Sequence, residues 1–349
     1  MRLSILPVAV CCAASLAFGA STMQSGKATL KSAGALAIGP DGVLLVGDSA
    51  GAAIYALDVN DTGTARSGGT VEVKGINEKV AAMLGTAPDQ IMILDVVVNP
   101  KSKNIYVAVS RGKGADAIPV ILRVDTTGKI SEVSLENIKH ASVKLNDSPA
   151  AERQRMETIT QLKFVDGKVL VAGLSNEEFA SSLRSIAYPF QDATKATGIE
   201  IYHGAHGRFE TNAPVRTFVP YEINKQKSIL AAYTCTPLVR IPVSDLKSGA
   251  KVKGTTIAEL GNGNRPIDMI VYQKDGKNFI LMANSSRGVM KLTADNLETY
   301  QGITEKIAQK AGVPYETIDS LKGVTQLDKY DNANALVLIG TDLRTVALP

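Results

Sequence analysis

Six recurrences of one apolar strand, polar turn and second apolar strand, spaced roughly 40 to 65 residues apart, predict an all-β chain folded as a six-bladed β-propeller. Two further observations point the same way. The turns are built from Asp, Asn, Gly and Lys, with Gly or Asn able to take the positive φ of tight hairpins. After the last hairpin only RTVALP follows, so the final blade needs an outer strand from elsewhere in the chain. Seven blades is the alternative, because the second and third units are long enough to contain another hairpin.

The elements follow in chain order. Residues 1–20 read as a secretory signal peptide: Arg2 is the basic start, Ile5 to Phe18 the apolar run, and Ala17 with Gly19 the small-residue cleavage pattern. The run is shorter than the ~20 residues a membrane span needs. No other stretch is long and apolar enough, so no integral membrane span is expected in the mature chain, residues 21–349, which forms a single propeller domain. The expected location is periplasmic or extracellular.

The hairpins then turn at GPDG within 35–49, NPKSK within 94–110, VDGK within 160–175, INKQK within 216–234, QKDGK within 267–285 and YDNAN within 324–341. Third and fourth strands follow most of them, such as AIYALDV (53–59) with TVEVKG (70–75), and LVRIPVS (238–244) with TTIAEL (255–260). Closure by N- and C-terminal strands is expected, with Lys27 to Lys31 supplying the N-terminal one. Two inserts share a sequence: GINEKVA from Gly75, ending at Gly85, and GITEKIA from Gly302, ending at Gly312. An N-cap residue (Asn77, Thr304), apolar positions at helical spacing and a terminal Gly predict two short helices between blades. Packing over the ring is their expected role.

Strand order places the second-strand ends and the blade-to-blade connectors on one face. Scarce residues collect there. The chain has no Trp, three His and three Cys, and signal removal takes Cys11 and Cys12, leaving Cys235 as the single thiol. His203, His206 and Glu210, in a Gly-flanked connector of the third unit, share that face with Cys235 of the fourth. A thiolate with two imidazoles suits a transition metal, copper or zinc, with Glu210 as a fourth ligand. A structural His/Cys cluster and a ligand-contact role stand beside that reading. His140, in an outer strand, is expected to be exposed or hydrogen-bonded. Arg111, Arg265 and Arg287 are candidates for an anion-binding rim or, equally, for bridging blades through backbone carbonyls.

Asp48, Asn176, Asn284 and Asp342 occupy similar places at second-strand ends, near the axis. Oxygen ligands from separate blades would suit calcium. With these features the mature chain resembles secreted bacterial propellers of the NHL or YVTN type, and more distantly six-bladed lactonases related to gluconolactonase. The second resemblance implies an axial divalent cation and hydrolysis of an ester or lactone by a metal-polarised carbonyl. Three functions therefore stand open: an exported propeller binding a small molecule, a metal-dependent lactonase or esterase, and a protein-interaction scaffold.

Composition excludes other classes. A chain that is 45% hydrophobic and 21% charged, with mean hydropathy +0.05, can bury a large core, against disorder and coiled coil. Removing Arg2 from 38 basic residues leaves 37 against 34 acidic ones, a net +3 too small and dispersed for nucleic acid. One thiol builds no internal disulfide, so packing must hold the fold.

Overall fold

All six hairpins form where their turn residues place them. Asp41 with Gly42, Lys103, Asp166 with Gly167, Asn224 with Lys225, and Asp275 with Gly276 take positive φ. The sixth turn is fixed instead by Asp331, whose Oδ1 accepts from the N–H groups of Ala333 and Asn334. In the computed structural model, which describes residues 23–65, 69–191, 195–235 and 237–349, these hairpins are the inner halves of six sheets. The expected signal peptide lies outside the described residues.

Numbered by innermost strand, blade 1 begins at Leu36–Ile38, blade 2 at Ile91–Val98, blade 3 at Gln161–Val165, blade 4 at Thr217–Ile223, blade 5 at Pro266–Lys274 and blade 6 at Val324–Lys329. Each inner strand touches two others, closing a ring of six blades rather than seven. Second strands are covered on both faces by neighbouring blades. Leu44, Leu45 and Val46 are 0% exposed, and full burial of one such Leu contributes about 1.5–3 kcal/mol. The core accordingly divides into six apolar clusters, one at each blade interface.

Ring order differs from chain order. Blade 1 packs between blades 2 and 3, and blade 6 packs on blade 2. The chain therefore leaves blade 1, passes its neighbour blade 2 by way of blade 6, and returns. Segment 70–75 is not the fourth strand of blade 1. Its core, Glu72–Val73, pairs with the C-terminal strand Asp342–Ala347 and closes blade 6, through Leu343↔Val73 and Arg344↔Glu72. Closure thus joins N-terminal and C-terminal parts of the chain, as expected, but through a different segment from Lys27 to Lys31. The fourth strand of blade 1 is Ile138–Lys144, and Gln24–Gly26 lies outside it. His140 sits in that strand, its Nδ1 3.0 Å from the Ile138 carbonyl.

One insert is helical and its twin is not. Helix α1 spans Ile76–Leu84 and ends on Gly85 at φ 65, burying Ile76, Val80 and Ala81 between blades 2 and 6. The GITEKIA segment forms no helix, because its backbone is committed elsewhere. Ile303 N–H donates to the Thr256 carbonyl and Ile307 N–H to the Gly204 carbonyl, at 2.8 and 2.9 Å. Its end, Ala311–Gly312, adds to blade 4. No helix among the described residues is long and apolar enough to cross a membrane.

Candidate metal centre

His203 ends the blade 3 strand Thr197–His203 and is 3% exposed. Its carbonyl accepts from the N–H groups of His206 and Gly207, at 3.1 and 2.8 Å. That tight turn, completed by Gly207 at φ 67, folds His206 back over His203 with the ring centroids 3.9 Å apart. The returning strand, Arg208–Glu210, pairs with the first and aims Glu210 at both rings. Its carboxylate lies 2.9 Å from His203 Nδ1 and 2.7 Å from His206 Nδ1, and accepts from Arg208 Nε at 3.0 Å.

Burial opposes ionisation of Glu210, yet the three hydrogen bonds from His203, His206 and Arg208 outweigh it and bring the carboxyl to about 2. Burial lowers the His203 imidazole below its usual value, and the Glu210 hydrogen bond only partly offsets this. An ionised Glu210 carboxylate against a neutral His203 imidazole fixes the tautomer of His203 with hydrogen on Nδ1. The lone pair is then on Nε2. In His203 this atom is buried without a hydrogen-bond partner.

Cys235 reaches the same point from blade 4. It follows the second strand Gln226–Ala232, takes φ 63, and is held by its N–H to the Asn264 carbonyl at 2.7 Å. One ring nitrogen from each histidine and the Cys235 sulfur all lie within 4.8 Å of one another. Bonds of about 2.0 to 2.3 Å to one ion keep any two ligands within about 4.6 Å, so this spacing is close to what a single ion requires. Among the described residues this is the one group of three or more His, Cys, Asp or Glu side chains that meets such a test.

The four residues singled out in sequence are therefore together, Glu210 hydrogen-bonded to both imidazoles beside the group of His203, His206 and Cys235. The GITEKIA segment covers the turn, with the Lys306 side chain against Gly207 and Ile307 N–H on the Gly204 carbonyl. Sequence reasoning missed Glu259. Its Oε1 accepts from Gly204 N–H at 2.5 Å, its Oε2 is buried without a partner, and burial raises its carboxyl to about 7. A signal existed, since in the strand Thr255–Glu259 the acid falls on the same side as Ile257.

The axial residues have local partners. Asp48 accepts from Lys31 N–H, Ser32 N–H, Ser32 Oγ and Gly51 N–H. Asn284 accepts from Asn264 and donates to the Met282 and Gly288 carbonyls. Asp342 accepts from Gly75 N–H, and Asn176 is exposed. No hydrogen bond joins any two of the four among the described residues. The axis itself is lined by other carboxylates. Asp95 and Asp268 face a cavity of about 460 Å³ at the top of the channel, and Asp328 lies on the same innermost layer. Burial raises all three, Asp268 to about 7. The three arginines considered for a rim do not gather at one place. Arg265 is joined at the cavity by Arg216, while Arg287 turns away to the Asn262 carbonyl at 2.8 Å.

No family model and no curated protein sequence matches the chain. Solved propeller-containing structures align over most of its length at low similarity. An oxidoreductase (glucose dehydrogenase) of Thermus thermophilus shares 11% identity over 93% of this chain and 100% of its own, with a TM-score of 0.37. PQQ-bound aldose sugar dehydrogenase of Streptomyces coelicolor shares 10% over 93% and 96%, at 0.38. A gluconolactonase of Xanthomonas campestris shares 10% over 93% and 88%, at 0.36. The functional reading rests on this chain's own residues.

Proposed function

We propose that the protein is an exported, NHL-like binding propeller that holds a copper or zinc ion between blades 3 and 4, on His203, His206 and Cys235. The observation that carries this is the buried, unpartnered Nε2 of His203, within reach of a second imidazole and a thiol. A buried polar atom without a partner costs about 1–3 kcal/mol, and a bound ion removes that cost. Thiolate and imidazole together select copper or zinc over calcium or magnesium. Glu210 supplies the second support, since metal-bound histidines commonly donate their other N–H to a carboxylate.

Metal analysis of the purified mature protein tests the reading. Stoichiometric copper or zinc is expected, and His203→Ala should abolish it while the protein stays folded. Calcium retained unchanged in His203→Ala would move the function to Asp48, Asn176, Asn284 and Asp342 and to hydrolysis. A metal-free protein of undiminished stability after reconstitution with both ions would leave an interaction scaffold. Export is tested separately by the mass of the mature N-terminus, expected to start near residue 21.

A further inference from the structure

A second candidate site lies at the top of the channel and does not depend on the metal reading. All six blades contribute to the cavity there, whose volume of about 460 Å³ is in the range of small-molecule sites. Its charge is divided along the axis. Arg216 and Arg265 immediately precede the innermost strands of blades 4 and 5, so they stand at the mouth. Asp95 and Asp268 lie inside the innermost strands of blades 2 and 5, each beside a β-bulge that re-aims the chain, so they form the floor. Asp268 lies three positions after Arg265, a rise of about 7 to 10 Å allowing for the bulge.

The arginines are not neutralised in place. Arg216 is oriented by Glu157 at 2.9 Å and by Thr234 Oγ1 at 3.1 Å. Arg265 is exposed, and its guanidinium has no hydrogen bond or ion pair among the described residues. One net positive charge is left at the mouth. At the floor, Asp268 Oδ2 accepts from Leu327 N–H, while each oxygen of Asp95 accepts one backbone N–H, leaving acceptor capacity on both. The wall also carries Ser, Thr and Gln side chains, and Leu94 and Met156 give it an apolar part. Leu94 and Met156 are 37% and 51% exposed, and both continue into an adjoining apolar cavity of about 610 Å³.

We propose that this cavity binds a small zwitterion, its carboxylate on Arg216 and Arg265, its ammonium on Asp95 and Asp268, and its hydrocarbon chain against Leu94 and Met156. Burial raises both floor carboxyls and Lys163 acts on each, so the ammonium binds by taking the place of a floor proton. A simple anion makes no such exchange, and a simple cation meets the arginine mouth. The spacing of the two ends selects an amine separated from its acid by several methylenes over an α-amino acid.

Calorimetry at about pH 8, above the range in which Asp268 holds its proton, with 6-aminohexanoate, hexanoate, hexylammonium and glycine on the full-length mature protein tests this. Binding of 6-aminohexanoate should be tighter than that of each other probe by about tenfold or more. Arg265→Gln, a change at an exposed position, should weaken 6-aminohexanoate and hexanoate alike. Asp268→Asn keeps an acceptor for Leu327 N–H and should reduce 6-aminohexanoate to the affinity of hexanoate, with circular dichroism showing the fold retained. Equal binding of hexanoate and 6-aminohexanoate, tightest binding of hexylammonium or glycine, indifference to Arg265→Gln, or no heat from any probe up to about 10 mM would each overturn the proposal.

Discussion

Glu210 shows how much one side chain organises when three donors converge on it. Because Glu210 is hydrogen-bonded to both imidazoles, the proposed site predicts that Glu210→Gln leaves metal stoichiometry intact and lowers affinity by about 10- to 100-fold, read by competition with a chelator. Cys235→Ser, which removes a ligand atom, should lose the ion at chelator concentrations that Glu210→Gln survives. A purely structural pair elsewhere provides the contrast. Arg184, buried to 1% exposure, is held by Asp147 Oδ1 at 2.8 Å, while Asp147 Oδ2 accepts from Ala196 N–H at 2.7 Å. Asp147→Ala leaves that guanidinium buried and unpaired, and should cost about 3–5 kcal/mol in urea unfolding with no effect on metal. Sequence made His203, His206 and Cys235 legible because their residue types are scarce. The role of Glu210 was not legible, since it depends on which ring nitrogens the turn at Gly207 presents.

At the scale of the element, two nearly identical inserts adopt different structures. GINEKVA forms α1, and GITEKIA lies without regular structure over the candidate metal turn. Capping residues and apolar spacing describe what a segment forms when nothing else claims its backbone. Thr256 and Gly204 claim two N–H groups of the second insert, and the helix is lost. Both inserts still end on a glycine at positive φ, but the two glycines do different work. Gly85 has open space around it, so Gly85→Ala should cost about 1 kcal/mol, the conformational penalty alone. At Gly312 an added Cβ would stand 2.0 Å from the Ile257 carbonyl oxygen, so Gly312→Ala should cost clearly more, by separation of strand from blade 4. Urea midpoints of the two variants check the ranking. Equal losses would mean that the second insert yields to the clash at little cost.

The whole ring was legible in number and not in order. Blade count follows from hairpins, which are local and carry their own turn chemistry, whereas outer strands are short and pair across long separations. Glu72–Val73 is two residues long, and nothing in EV names blade 6 as its partner. What secures the ring includes a set of acceptors passed from blade to blade near the axis. Asp95 accepts from Leu36 N–H of blade 1, Asp328 from Val98 N–H of blade 2, Asp268 from Leu327 N–H of blade 6, and Gln161 from Phe218 N–H of blade 4. Three of the four are carboxyls, and Lys163 is the cation whose field acts on all three. Burial raises all three, with repulsion from neighbouring carboxyls adding to it at Asp95 and Asp268, and brings Asp268 from its ordinary 3.8 to about 7. The folded ring therefore keeps a proton that the unfolded chain releases, and stability from this group is full below about pH 4 and falls as pH rises through about 7. The span corresponds to an upper bound of about 4 kcal/mol for Asp268. Glu259 contributes with the same sign, while His203 and Glu210, both lowered, contribute with the opposite one. Comparison with Asp268→Asn isolates the axial share, because the amide keeps the acceptor and cannot ionise. Urea midpoints of the ligand-free protein across that range should show the variant gaining on the wild type as pH rises. A constant difference between the two would show that Asp268 is ionised in the folded ring throughout.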